Sequence, residues 1–248
     1  MYSNLVFHRL EQVDSTNNYA MAQIHEGYAK HGMGWYAHHQ TEGKGQRGKS
    51  WESEAGENIL LSVAIVPPVV FHQSPFLFNA YISLTIKSWL EAIIAENVKI
   101  KWPNDMLIRD RKAGGLLIEN IYRGHSWNWS VVGIGINVNQ TEFNSHSRTP
   151  VSIHQITGKK HDAEALSKSL HQKIVEAVEN AGTIHPDDIV KLYNMCLFKH
   201  GELVTLIHQQ NKLVTTILGV NIEGLLFTQD SEVRSFRFGE VEWGFGEV

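Results

Sequence analysis

The segment TEGKGQRGKSW, residues 41–51, carries three glycines in the spacing G-x-G-x-x-G, and it constrains the fold more than any other feature. In a dinucleotide-binding fold this pattern follows a strand, opens a helix, and precedes a ribose-binding carboxylate by about 20 residues. Here the strand-like run 34–40 precedes it, but another β-type run, NILLSVAIV, follows and contains no carboxylate. The sequence therefore excludes a Rossmann unit at this place.

Basic residues alternate with these glycines, at Lys44, Arg47 and Lys49. Glycine lets backbone N–H groups approach an anion closely, and Lys and Arg add charge-assisted hydrogen bonds. We therefore predict a loop that is mobile when empty and ordered over a phosphate or a carboxylate. A solvated basic hairpin loop explains the same residues equally well at this point.

The apolar periodicity along the chain predicts an α+β fold with an all-β region at its end. Strands are expected at 4–10, 34–40, 58–66, 98–102, 116–122 and 129–138, and helices at 14–29, 74–97, 163–178 and 186–197. After Lys199 only short strand-like runs and glycine turns occur, without a helical period. We predict a domain of residues 1–198 followed by a small β-barrel of residues 199–248.

Composition narrows the class of protein. The chain has 22 Lys and Arg against 26 Asp and Glu, so its net charge of −4 argues against nucleic-acid binding. The single cysteine, Cys196, excludes an internal disulfide and is expected to be a packing residue. The N-terminus does not resemble a signal peptide, and no apolar run approaches the roughly 20 residues of a membrane span. We predict a cytoplasmic protein without a membrane segment.

Three further motifs combine polar groups with places where the backbone can approach a ligand. KWPND at 101–105 fixes a turn after a strand and offers directional polar side chains. Lys112 stands beside a glycine pair at the entrance of a buried strand. VVGIGINVN places Gly133 and Gly135 inside an apolar strand that ends at Asn137. An ordinary turn, a surface lysine and a β-bulge explain these motifs one at a time.

Taken together, DSTN, QTEGKGQRGKSW, KWPND, KAGGLLIE and GIGIN occur in an order that closely resembles the biotin protein ligase family. The match runs from about Phe7 to Asn139, and the C-terminal β region resembles that family's SH3-like domain. The resemblance implies a mixed-sheet catalytic domain of the biotin/lipoate ligase type. It also implies an enzyme that joins biotin to ATP as biotinyl-5′-AMP and then biotinylates one lysine of a biotin carboxyl carrier domain.

The resemblance also implies roles for individual residues, with Lys112 and Lys44 as the catalytic cations. Biotin is expected to contact Ser15, Thr16, Asn17, Gln40, Gly43, Lys44, Gly45, Gln46, Lys112, Gly115, Leu117 and Gly133. ATP is expected to contact Arg47, Lys49, Trp51, Asn104, Asp105, Lys112 and Asn137. Mg²⁺ is expected to bind through the nucleotide phosphates, without assigned protein ligands.

The glycine segment departs from the family pattern, which usually reads Gly-Arg-Gly-Arg. Here Lys44 and Gln46 occupy the two basic positions. Lysine keeps the charge but loses the bidentate fork of arginine, and glutamine loses the charge. We expect this chain to retain the adenylate less firmly than a chain with arginine at position 46.

Alternatives to a biotin ligase are a lipoate or octanoate ligase or transferase, and a biotin-binding protein without catalysis. An octanoyl transferase needs a thiol in the core fold, whereas Cys196 lies at the predicted domain junction. Lys112 and Asp105 argue against a binding protein that does not catalyse. Because the motif pattern begins within the first ten residues, we expect no DNA-binding domain before it. If a homodimer forms, we expect it to use an exposed strand edge near 126–138.

Overall fold

The computed structural model describes residues 5–143 and 150–244, which form two β-sheets and five α-helices. The first sheet contains β1 Phe7–Val13, β2 Gly34–Gln40, β3 Asn58–Ile65, β4 Val98–Lys101, β5 Asp105–Ile108, β6 Arg111–Arg123 and β7 Ser126–Asn137. The helices are α1 Thr16–His25, α2 Pro75–Ile94, α3 Ile153–Thr157, α4 Ala163–Glu179 and α5 Pro186–Cys196. The second sheet contains β8 Leu203–His208, β9 Asn211–Val220, β10 Leu226–Gln229, β11 Val233–Phe236 and β12 Val241–Trp243.

The first sheet is mixed, with the order β1-β2-β3-β7-β6-β5-β4 and a parallel pair only at β1 and β2. Strand β7 lies between β3 and β6 and is hydrogen-bonded on both sides. The expectation of an exposed edge near 126–138 is therefore wrong for residues 130–137, which pair with β3, whereas residues 126–129 extend beyond β3 and lie beside β6 only. Within the described residues the edges of this sheet are β1 and β4.

The packing of strand β3 explains why nearly all of its residues are apolar. Ile59, Leu61 and Val63 belong to the main core, where α2 and α4 pack. Ala64 on the opposite face belongs to a smaller cluster under α1. Since helices cover both faces, every residue of the strand is buried. Helix α1 covers only part of its face, and the uncovered part is where the candidate site lies.

The second sheet, called the C-terminal sheet below, is antiparallel with the order β11-β10-β9-β8-β12. Its last strand in the chain pairs with its first, so the chain end returns to the start of the region. The predicted fold class, α+β with an all-β region at the end, is confirmed. The predicted boundary at 198/199 falls in the connection between α5 and β8.

Several element boundaries differ from the predictions. The first strand is Phe7–Val13 instead of 4–10, and residue 4 lies outside the described residues. Helix α2 ends at Ile94 because Ala95 adopts a left-handed conformation, with φ 55°. Strand β5, helix α3 and strand β12 were not predicted. No helix in the described ranges is long and apolar enough to cross a membrane.

Candidate functional site

A cavity of about 640 Å³ lies on the sheet face that α1 leaves uncovered. The first residues of α1 form one end, strands β3, β5, β6 and β7 form the floor, and the glycine segment forms a wall. The turn before β12 and β12 itself close the other side. Three regions far apart in the chain therefore meet at this site.

The end of the cavity near α1 is polar and buried, and we call it the polar end. Ser15, Thr16 and Asn17 are at most 4% exposed. The backbone N of Thr16 donates to Oε1 of Gln40 over 2.7 Å, and its hydroxyl lies 3.0 Å from the same oxygen. Asn17 lies 2.6 Å from Glu119 through its Nδ2. Buried polar groups that lie this close together form a network that can recognise the hydrogen-bonding groups of a ligand.

The strand glycines make room for side chains above them. A Cβ at Gly133 would overlap the amide of Asn17, and a Cβ at Gly135 would overlap the indole of Trp51. The resemblance implies that Gly133 contacts biotin. Gly133 and Gly135 are alternate residues of β7 and face the cavity, and the missing side chain of Gly133 leaves the space that Asn17 occupies.

The opposite end of the cavity is cationic. Nζ of Lys112 lies 2.7 Å from Oδ1 of Asp105, and Nζ of Lys101 lies 4.0 Å from Oδ2 of the same carboxylate. Lys112 also lies over the ring of Trp51, 5.5 Å from its centroid. Nε1 of Trp51 is buried and has no hydrogen-bond partner among the described residues. An indole in this state can pack against a flat ligand group.

The glycine segment folds as a tight turn, with an isolated bridge between Lys44 and Ser50 and a 3₁₀ turn at Gln46–Gly48. Arg47 has φ 56°, a left-handed conformation that is uncommon for a residue with a side chain. Nε2 of Gln46 lies 3.5 Å from the carbonyl oxygen of Leu116 on β6. The segment thus lies over the floor of the cavity and places its basic residues at the wall.

Lys44 is connected to the start of α1. Its Nζ donates to Oδ1 of Asn18, and Nδ2 of Asn18 donates to Oδ2 of Asp14. The Asn18 hydrogen bond lowers the pKa of Asp14, to which the charge of Lys44 also contributes. These contacts bring the glycine segment against the polar end of the cavity.

The KWPND turn is held from several directions. Nε1 of Trp102 donates to the carbonyl of Gly224 over 3.1 Å, and the Trp102–Pro103 peptide bond is cis. The hydroxyl of Tyr193, from α5, donates to the carbonyl of Pro103 over 2.8 Å, and burial raises the pKa of that phenol. Asn104 donates through Nδ2 to the carbonyl of Leu116. The turn is therefore fixed where it borders the cavity.

The C-terminal sheet contributes side chains to the cavity. Phe238 packs edge-on against Trp102, with ring centroids 5.8 Å apart. Lys101 lies over the ring of Trp243 at 5.7 Å. Gly239 lies so close to the guanidinium of Arg47 that a Cβ there would come within 2.9 Å of its Cζ. The glycine segment and the turn between β11 and β12 therefore meet at the cavity wall.

The structure brings most of the residues singled out in the sequence to this cavity. Lining residues among them are Ser15, Thr16, Asn17, Gln40, Lys44, Gly45, Gln46, Arg47, Lys49, Trp51, Asn104, Asp105, Lys112, Gly115, Leu117 and Gly133. The contacts that these residues make with a ligand stay predictions.

Gly43 and Asn137 are the two exceptions. Gly43 lines a shallower groove on the outer side of the glycine segment, and a Cβ there would overlap the carbonyl of Trp51. Asn137 is 4% exposed, and its Nδ2 donates to the carbonyls of Lys112 and Val151. Asn137 thus supports the backbone of Lys112 in this structure, and its contact with the nucleotide stays a prediction.

Sequence reasoning missed other residues of the cavity wall. Among them are Ser50, Leu60, Lys101, Trp102, Gly135, Phe238, Glu242 and Trp243. Lys101, Trp102 and Gly135 belong to the motifs KWPND and VVGIGINVN, so their place in these motifs could have indicated that they line the cavity. No local pattern in the C-terminal region indicated Phe238, Glu242 or Trp243.

A metal site made of protein groups alone is not visible. Within residues 5–143 and 150–244, no group of three or more His, Cys, Asp or Glu side chains comes together. The cavity wall nevertheless contains the carboxylates of Asp105 and Glu242. Mg²⁺ is usually held by one or two carboxylates together with substrate phosphates, so these residues fit that mode.

Comparisons with known proteins show the family to which the chain belongs. The model of the Biotin/lipoate A/B protein ligase family matches residues 10–137. The bifunctional ligase/repressor BirA of Escherichia coli is 33% identical over 132 residues, which are 52% of this chain and 39% of that protein. The biotin–[acetyl-CoA-carboxylase] ligase of Paracoccus denitrificans is 30% identical over 161 residues, which are 62% of this chain and 65% of that protein. The aligned part is therefore less than two thirds of either relative.

A solved structure shows the same fold over nearly the whole chain. The biotin protein ligase from Aquifex aeolicus in complex with biotin and ATP is 24% identical, with a TM-score of 0.79. The alignment covers 96% of this chain and 97% of that chain. The residues matched by the family model begin in β1 and end with β7, and they carry the polar end, the glycine segment and the Lys112–Asp105 pair. The chain belongs to the biotin/lipoate A/B protein ligase family.

Proposed function

We propose that this protein is an ATP-dependent biotin protein ligase. It forms biotinyl-5′-AMP and pyrophosphate from biotin and ATP, and then transfers biotin to a lysine of a biotin carboxyl carrier domain. The observation that carries the proposal is that the polar end and the Lys112–Asp105 pair line one cavity. Relatives named as biotin ligases, and a structural neighbour described with biotin and ATP, support the same reading.

The cavity suits two substrates that react with each other. Its volume of about 640 Å³ lies within the usual range of about 300 to 1,000 Å³ for ligand sites. The polar end offers neutral hydrogen-bonding groups, which fit the uncharged ureido head of biotin. The opposite end offers cations and the indole of Trp51, which fit a carboxylate, phosphates and a base.

Charge explains how the site favours the first step. The wall carries Lys44, Arg47, Lys49, Lys101 and Lys112 against the carboxylates of Asp105 and Glu242. In the first step a carboxylate oxygen of biotin bonds to the α-phosphorus of ATP, and the bond from that phosphorus to the bridging oxygen breaks. Both reactants are anions, so cations that hold them in line lower the barrier through positioning and electrostatics.

The second step transfers the acyl group. The uncharged amine of the acceptor lysine bonds to the acyl carbon of biotinyl-5′-AMP, the bond from that carbon to the phosphate oxygen breaks, and AMP leaves. The amine gives its proton to water as the amide forms. Asp105 supplies the carboxylate at the cationic end, where it holds Lys112 and Lys101 in place. Mg²⁺ bound to the phosphates would shield the charge of the pyrophosphate leaving group.

Other features of the protein stay predictions: a homodimer, a cytoplasmic location and the lack of nucleic-acid binding. The carrier domain is proposed as the acceptor on the basis of the named relatives.

The family model also covers lipoate ligases, so the acyl substrate must be tested directly. We expect exchange of labelled pyrophosphate into ATP with biotin, and none above background with lipoate or octanoate. Exchange with lipoate instead of biotin would favour the alternative. Cys196 does not line the cavity, which argues against an octanoyl transferase that depends on this thiol.

A further inference from the structure

We propose that Glu119 and Ser62 are positioning residues, which fix the amide of Asn17 so that the polar end presents hydrogen-bond acceptors to the N–H groups of the substrate. The proposal rests on the function proposed above and names what this end of the cavity selects. Neither residue is among the biotin or ATP contacts that the resemblance implies. Glu119 lines only the outer groove, so it acts on the cavity through Asn17.

The orientation of the Asn17 amide follows from its neighbours. Its Nδ2 lies 2.6 Å from Oε2 of Glu119 and 3.3 Å from the carbonyl oxygen of Leu117. A carboxylate and a peptide carbonyl can only accept hydrogen bonds, so the NH₂ group of Asn17 must face them. Oδ1 therefore faces the other way, where Oγ of Ser62 lies 2.6 Å from it.

A second obligatory donor fixes the neighbouring amide. The backbone N–H of Thr16 can only donate, and it lies 2.7 Å from Oε1 of Gln40. The hydroxyl of Thr16 lies 3.0 Å from the same oxygen and donates its proton there. Ser62 lies 2.8 Å from Oγ1 of Thr16 and gives its own single proton to Asn17 or Thr16.

No proton of these hydroxyls is left to point into the cavity. The remaining lone pairs of Asn17 and Thr16, which line the cavity, act as acceptors there, and Nε2 of Gln40 is left as a donor beside them. A ureido group carries two N–H donors and one carbonyl, so it fits these acceptors through its N–H side. The network is buried, with Ser62 0% and Asn17 3% exposed, and a misdirected group in it is costly.

The sheet register explains why these residues meet. Ser62 and Leu117 are the partners of Gly133 on its two sides, and Glu119 follows Leu117 on the same face of β6. Since a Cβ at Gly133 would overlap the Asn17 amide, that amide lies over the glycine between Ser62 and Glu119. The glycine, the serine and the glutamate thus form one seat for Asn17.

A reciprocal swap tests the proposal. In Asn17→Asp two carboxylates face each other in place of a donor and an acceptor, so we expect biotin affinity to fall at least about tenfold. In the double variant with Glu119→Gln, the glutamine amide donates to the introduced carboxylate, whose other oxygen still accepts from Ser62. We expect the double variant to recover biotin affinity to within about threefold of wild type. The Kd for biotin and the Kd for ATP are measured by calorimetry, with the Tm of every variant.

The Kd for ATP is expected to stay within about twofold throughout, because the swap lies at the polar end. Glu26→Gln makes the same chemical change at the exposed end of α1 and should leave both Kd values unchanged. A double variant that binds biotin no better than Asn17→Asp overturns the proposal, as does an Asn17→Asp variant with wild-type affinity.

If Asn17→Asp does not fold, Glu119→Met is measured instead. We expect at least about tenfold weaker biotin binding, and wild-type affinity in this variant contradicts the proposal. Wild-type protein that binds no biotin contradicts the proposed function itself. If the wild-type protein binds biotin and Glu119→Met binds it with the same Kd, only the positioning role is contradicted.

Discussion

Nζ of Lys112 lies 2.7 Å from Oδ1 of Asp105, and the two side chains remain 36% and 23% exposed inside the cavity. The ion pair is thus within reach of a ligand that enters from the cavity. An anionic ligand can draw Lys112 into a charge-assisted hydrogen bond while Asp105 keeps its contact with Lys101. Lys112 is therefore placed to respond to the reacting anions.

Removing the charge of Lys112 should affect the chemical step more than binding. For Lys112→Ala we expect adenylate formation to slow by about 10² to 10³, with the Kd for biotin raised less than about tenfold. Single-turnover formation of biotinyl-AMP and calorimetry measure the two quantities. Lys160→Ala, an exposed lysine outside the cavity, is the control and should match wild type. Unchanged turnover in Lys112→Ala would show that its assignment is wrong.

Gln46 lies at a position that the resemblance to the family leads us to expect as basic, with Nε2 3.5 Å from the carbonyl of Leu116. An arginine there would add a charge-assisted hydrogen bond to the phosphate of the bound adenylate. We expect biotinyl-AMP to dissociate about three to ten times more slowly from Gln46→Arg than from wild type. Dissociation of labelled biotinyl-AMP measures the two rates, and equal rates would remove the prediction.

Gly135 allows the indole of Trp51 to lie against β7. In Gly135→Ala the new methyl group would overlap the indole, so the ring must move away from Lys112. We expect the KM for ATP to rise about tenfold, with the Kd for biotin changed less than about twofold. Gly182→Ala is the matched control, since no atom lies within 4 Å of the added Cβ. Equal effects on both substrates would contradict the assignment of Trp51 to the nucleotide.

His171 makes folding stability depend on pH. Burial lowers its pKa below the ordinary value of 6.5, and its Nε2 lies 2.7 Å from the carbonyl of Gly32. The unfolded chain therefore binds a proton at a higher pH than the folded chain. The stabilisation from neutral His171 is complete above pH 6.5 and is lost as pH falls through the lowered pKa.

We expect Tm to fall as pH is lowered from 7 to about 5, and to fall less steeply in His171→Gln, which cannot titrate. His25→Gln, an exposed position at the end of α1, should keep the wild-type slope. Thermal unfolding at several pH values gives the slopes. Parallel slopes for wild type and His171→Gln would contradict this role.

Most of the fold could be predicted because its elements are long and periodic. The strand at 34–40 and the amphipathic pattern at 163–178 correspond to β2 and α4 almost residue for residue. Strand β5 and helix α3 were missed because they have four and five residues, too few to show a period. The pairing of residues 130–137 with β3 was missed because strand order depends on contacts between distant segments.

Some residues of the site could be predicted from the sequence and others could not. The resemblance pointed to the residues of the polar end and to Lys112, and the structure brings them to one cavity. The role of Gly133 in seating Asn17 depends on the contact of α1 with β7, which no local pattern contains. The approach of Phe238 to Trp102 joins residues far apart in the chain, and sequence reasoning had no means to find it.

The most direct test of the account is to incubate the purified protein with biotin and ATP and follow pyrophosphate release and the mass of the bound product. The account predicts release of about one pyrophosphate per active site and a retained species with the mass of biotinyl-5′-AMP. Adding a biotin carboxyl carrier domain should then release AMP and add one biotin to a lysine. Biotin binding without ATP-dependent adenylate formation would contradict the central claim and favour a binding protein instead.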